Sequence, residues 1–229
     1  MSVSETASSR RFFSVYQYVV PALLFPASYL LWLRRFDGDH GLVALALSVP
    51  VVFAYVVPGI GTNVLKLWEF NTRLRLGRFR PHHGFVFGTA ASLFALCALE
   101  RLGRPVEQQD VLRAGFVLGS ILGFWNWLYD VAAIRSGFLA VYNRPWAEGR
   151  GPEAIAGDYA PTLFGVFGVC YGCSLRLGEH VVLDLGRRDL LPVVALSCNL
   201  ATLALPVAAH VLVSWLRNGE WGLSPQGRG

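Results

Sequence analysis

Asp130 closes an uncharged stretch that runs from Ala114 to Tyr129. A carboxylate in the last turns of an apolar helix is costly, about 2.5 kcal/mol or more at mid-bilayer and less near the interface. The negative end of the helix dipole adds to that cost. Compensation must come from a cation, from hydrogen bonds, or from protonation, and a group held in that balance can give and take protons. Arg135 and Arg73 are the candidate structural partners, and Asn126, four residues earlier, shares the helix face of Asp130.

Glu69 is the second acid of interest, in Trp68-Glu69-Phe70 just past a Gly-rich stretch. Paired with Asp130 in separate environments it could supply the two carboxyl roles that acid–base chemistry needs. The competing reading is an ion pair with Arg73, four residues on, along an interfacial helix. Next come Arg73, Arg75, Arg78 and Arg80, interleaved with apolar residues and ending at His82 and His83. Arginine forks bind phosphate-like groups two bonds at a time, so this run suits anionic headgroups, or else a plain positively charged loop.

These residues must be positioned by something, and the composition says what. Hydrophobic residues make up 54% of the 229, charged residues only 15%, and the mean hydropathy is +0.44. A soluble domain averages ~25% charged residues. The apolar excess falls in blocks near the ~20 residues that cross a ~30 Å hydrocarbon layer as a helix. The expected fold is therefore all-α, a polytopic bundle of about six transmembrane helices in a single domain, with spans at about 14–33, 41–57, 84–99, 114–134, 161–177 and 190–216. Pro58-Gly59-Ile60-Gly61 is expected to stop the second span, and 135–160 reads as an ordered or semi-ordered loop. Met1 to Arg11 is polar and Ser-rich, so no cleavable signal is expected.

With six spans both termini share a side, and the twenty basic residues, counting Arg10 and Arg228, divide twelve to eight in favour of it. The expectation is a multi-pass cell-membrane protein with cytoplasmic termini. Span order alone then sends Asn63, Glu69, His82, His83, Asn126, Tyr129, Asp130, Asp158, Tyr159 and His210 toward the end that holds the termini.

Other chemistries are weaker. The basic residues sit in short loops between apolar spans, where topology and lipid headgroups explain them, so no nucleic-acid partner is expected. Cys170 and Cys173 form a CxxC, but all four cysteines fall inside spans and read as packing residues, not as disulfides. Gly59-Ile60-Gly61 lacks the Lys-Ser/Thr of a phosphate-binding loop. Adjacent histidines cannot both face one centre from a helix, so no metal site and no cofactor are predicted, although His82, His83 and His210 with an acid keep a haem or metal carrier as a rival reading.

Asn63, Trp68-Glu69 and Asp130 resemble the arrangement in small membrane terpene cyclases of meroterpenoid pathways, which are of similar size and carry an early Asn–Trp–Glu cluster and a later second acid. The Arg-rich run after Phe70 is not part of that pattern. The resemblance implies a lipid-like substrate and cofactor-independent cyclisation. Together with the residue reading it gives the main expectation: an enzyme acting on an isoprenoid or phospholipid at the cytoplasmic interface. Asp130 and Glu69 would be catalytic. Arg73, Arg75, Arg78 and Arg80 would hold an anionic head, Trp68, Trp125 and Tyr129 would line a groove for the tail, and Asn63, His82, His83 and Asn126 are further candidate substrate-binding residues. A transporter or a membrane subunit of a larger assembly is the rival, on the strength of helix breaks at Pro58-Gly59 and Pro206.

Overall fold

The computed structural model describes the backbone of residues 3–227 and the side chains of residues 11–227; Arg10 and Arg228, which entered the charge count, lie outside the described side chains. The chain is 73% helical. Helices α1 (Val3–Val19) and α2 (Phe25–Arg35) are joined by a π-turn over Val20–Leu24. Pro21 and Pro26 lack the N–H that would continue the ladder, and widening the turn absorbs their rings without breaking the rod. Helix α3 (His40–Asn63) is capped by Asp39, whose carboxylate accepts from the backbone N–H groups of Gly41 and Leu42 at 2.9 and 3.2 Å.

Helix α3 corrects one expectation, because it continues through both Pro50 and Pro58 to Asn63. Ending it at Pro58 would leave backbone groups bare in an apolar medium, which costs more than losing single bonds at the prolines. The chain then turns at Lys66, with φ +59°, into strand β1 (Trp68–Phe70). Beyond lie α4 (His83–Ala98), α5 (Gln108–Arg135), β2 (Leu139–Val141), the short α6 (Arg144–Ala147) and α7 (Pro152–Gly157), α8 (Ala160–Glu179) and α9 (Leu191–Asn218). Strands β1 and β2 pair antiparallel, with Trp68 opposite Val141 and Phe70 opposite Leu139. The stretch around Glu69 is thus a strand and not an interfacial helix.

Five helical segments are long and apolar enough to cross a membrane, and α4 is a shorter apolar helix. Their outer faces expose Phe116, Val193, Leu196, Leu200 and Leu216. A water-soluble surface does not carry so wide an apolar belt, whereas hydrocarbon favours it. The protein is an all-α membrane bundle.

Helices α5 and α8 approach most closely. Along α5, Gly115, Gly119 and Gly123 face Gly165, Gly168 and Gly172 of α8; a Cβ at Gly168 would fall on the carbonyl of Leu118, and one at Gly172 on that of Ala114. Small residues let backbones touch where lipid offers no hydrophobic drive for association. This contact fixes the C-terminal end of α5 beside the start of α8, which is what brings Asp130 next to Tyr159.

Contacts sort the helix ends into two groups. At one end Gln17 of α1 meets His82, β1 meets β2, and the backbone N–H of Gln226 donates to Tyr142 O at 2.8 Å. At the other, Arg35 donates to Leu99 O and Glu100 O, and Arg188 binds Asp39 at 2.6 Å.

Candidate active site

At the end that holds the β-ribbon, α3, α4, α5, α8 and β1 enclose a cavity of about 310 Å³, at the small end of the ~300–1,000 Å³ typical of ligand pockets. Its walls are aromatic, with Phe53, Phe87, Phe94 and Phe164 from the helices and Trp68 and Phe70 from the strand. Trp125 lines it too, although 49% exposed, and its ring stacks on Phe94 at 5.6 Å. The cavity therefore reaches the lipid-facing surface between α4 and α5.

Asp130 lines this chamber and is only 7% exposed. Its Oδ2 accepts a hydrogen bond from the Tyr159 hydroxyl at 2.6 Å. Tyr159 is the residue before α8 and is itself buried. Burial, and then the adjacent Asp130 carboxylate, hold its hydroxyl well above the ordinary tyrosine range, so it stands as a donor. The partner expected among the arginines is absent from that role: Arg135 pairs with Glu153, and Arg73 is exposed. Asn126 does share the cavity face with Asp130, but its amide donates to Leu122 O at 2.8 Å.

Arg80, expected among the head-binding arginines, is part of the wall. It is 1% exposed; its Nε donates to His83 Nδ1 at 2.9 Å and its Nη2 to the Tyr129 hydroxyl at 3.4 Å. The guanidinium carbon sits 4.8 Å from the Phe70 ring centre and 5.1 Å from that of Phe138. His83, Tyr129 and Tyr16 complete the polar part of the wall.

The remaining expected site residues lie elsewhere. Successive residues of a strand point to opposite faces, so Trp68 and Phe70 line the cavity while Glu69 faces away. Glu69 binds Arg75 at 2.8 Å and the Tyr142 hydroxyl at 3.2 Å, which replaces the expected Arg73 pair and leaves no carboxylate pair among the described residues lining the cavity. Asn63 organises the turn before Arg80: it accepts from Arg78 N at 2.8 Å and donates to Leu76 O. Arg78 donates to Lys66 O and lies over the Tyr142 ring. Of the arginine run only Arg80 turns inward.

His82, His83 and His210 are not brought together. His82 meets Gln17 Oε1 at 3.0 Å, His83 meets Arg80, and His210 lines a separate small polar pocket with Asp158 and Ser214. Burial, and then Arg80, lower the His82 pKa from the usual 6.5 to about 4. Between those values the unfolded chain binds more protons than the folded one, so stability falls as the pH drops through that window. His82→Gln is expected to lessen the fall in thermal stability between pH 7 and pH 4.5, read by tryptophan fluorescence in detergent. An unchanged fall would show that His82 takes no part in it.

Tyr159 was visible in the sequence only as one polar residue at the correct membrane face, ahead of Pro161. The buried phenylalanines had no signal that separated them from other apolar residues in the spans. The chain matches no protein-family model, no curated protein and no solved structure.

Proposed function

We propose that the protein is an integral membrane enzyme that cyclises or isomerises a lipid-like substrate of isoprenoid type, with Asp130 as the proton donor. The observation that carries this reading is one buried carboxyl group, held through one oxygen by Tyr159, in an aromatic chamber that reaches the lipid-facing surface. With Oδ2 occupied, Oδ1 carries the proton to a carbon–carbon double bond, and a cation develops on the substrate. The faces of Trp68, Phe87, Trp125 and Phe164 stabilise that charge. Loss of a proton from the cyclised or rearranged cation returns one to Asp130, so the acid is regenerated and substrate and product are isomers. Glu69, bound on the outer side of the ribbon, takes no step.

Two further features support a reaction chamber over a passage. Helices α3 and α9 run unbroken through Pro58 and Pro206, so the breaks that favoured a transporter are not formed. The far end of the bundle is tied by the buried cluster of Arg35, Arg176 and Glu179. We place the cavity end and both termini on the cytoplasmic side of the cell membrane, following the distribution of basic residues.

The test uses membranes containing the protein, incubated with an isoprenoid lipid extract in water and in deuterium oxide. The expected product has the mass of its precursor in water and is one mass unit heavier in deuterium oxide. Absence of an isomeric product, or a product without solvent deuterium, would reject the reading.

A further inference from the structure

The cavity holds a second group that the proton chemistry leaves unused. Arg80 is almost wholly enclosed, yet its Nη1 has no hydrogen-bond partner among the described residues. Its neighbours are neutral: the His83 ring accepts at Nδ1 and so carries its proton on Nε2, Tyr129 offers a phenol, and Phe70 and Phe138 offer ring faces. Among the described residues Arg80 makes no ion pair; Asp130, on the same cavity, is bound to Tyr159 instead. A guanidinium taken out of water without a counter-charge costs several kcal/mol. Arg80 lines the cavity, and a ligand that brings an anionic oxygen to its guanidinium offsets that cost.

The same wall limits how much charge the ligand carries. Arg80 is the one Arg or Lys among the described residues lining the cavity, and Asp130, the proton donor, stands there as the neutral acid. Arg75 is paired with Glu69, and Arg78 is used by Lys66 O and Tyr142, both outside the chamber. A diphosphate would meet a single cation, whereas a monoanion is matched by Arg80 alone. The remaining lining, largely aromatic and aliphatic, fits an apolar body.

We propose that Arg80 anchors a single carboxylate, so that the cavity takes an isoprenoid-type apolar acid and discriminates against its diphosphate and its neutral ester. This rests on reading the cavity as the substrate site, but not on the proton transfer. Anchored at Arg80, the acid's hydrocarbon body would extend past Tyr129 toward Asp130, which lies one residue further along α5 and faces the same space.

The experiment measures equilibrium binding to the full chain in phosphatidylcholine nanodiscs, with three probes that share one hydrocarbon body: geranate, methyl geranate and geranyl diphosphate. Geranate is expected to bind at least about tenfold more tightly than either of the others, which corresponds to ~1.4 kcal/mol. Arg80→Met should bring geranate and its ester within about twofold, and Arg80→Lys should keep part of the preference. Asp130→Asn should preserve it, because that change removes the acid and leaves the anchor. Geranate selectivity that persists when no deuterium is transferred would end the proposed chemistry and keep the anchor. Equal binding of acid and ester by the wild type, preference for the diphosphate, no binding of geranate, or selectivity surviving Arg80→Met would each overturn the anchor. The three-probe comparison on the wild type decides the matter even where Arg80→Met fails to fold.

Discussion

Asp130→Asn is expected to lower formation of the isomeric product by about 10²–10⁴-fold, the range a positioned proton donor contributes. The amide cannot supply the proton, yet it has the volume of the carboxyl group and its Oδ1 still accepts from the Tyr159 hydroxyl, which sits 2.6 Å from Asp130 Oδ2 in the native protein. The variant should therefore reach the membrane at wild-type levels and elute as one species in detergent. Tyr159→Phe removes the bond that orients the carboxyl group and is expected to give a smaller loss. Product measured by mass spectrometry per unit of folded protein separates the two. Wild-type product from Asp130→Asn would remove Asp130 from the chemistry.

The second large effect concerns stability and lies at the far end of the bundle. Glu179 is buried between Arg176, 2.5 Å away, and Arg35, 3.5 Å away. The arginines also bind the carbonyl groups that end α4: Arg35 donates to Leu99 O and Glu100 O, and Arg176 to Glu100 O. One carboxylate thus holds two buried cations, and through them the ends of α2, α4 and α8. Glu179→Ala leaves both without a counter-charge, and removing one member of a buried pair costs roughly 3–5 kcal/mol. Thermal unfolding in detergent, followed by tryptophan fluorescence, should show a large downward shift. Glu179→Ala combined with Arg176→Met should recover part of it, because one stranded cation is then gone. A shift smaller than that of an ordinary surface substitution, about 0.5 kcal/mol, would mean the cluster is not buried as described.

Much of this was legible in the chain. Apolar blocks of membrane-crossing length define the helices because a continuous run of that length satisfies its own backbone groups in hydrocarbon as a helix, and the parity of the spans sends Asp130, Asn126, Tyr129 and His83 to one end. The acid itself was conspicuous because its cost in an apolar helix is a local property. Helix periodicity also placed Asn126 on its face, and Asn126 lines the cavity together with Trp125 and Tyr129, both expected among the substrate-binding residues.

What the residues by themselves could not decide is which way each side chain turns where the backbone leaves the helices. Glu69 faces outward, and Trp68 inward, because a three-residue strand takes its register from Leu139–Val141, about seventy residues away. Arg80 alone of its run is drawn inside, through a histidine and two phenylalanines, one of them Phe138 beyond both α4 and α5. Tyr159 reaches Asp130 because glycines along α5 and α8 let two distant segments touch. Local composition determined the rods and the end of the bundle where polar groups gather; contacts between residues far apart in the chain decided which of those groups share a cavity, since pairing and close packing have no local signature to read.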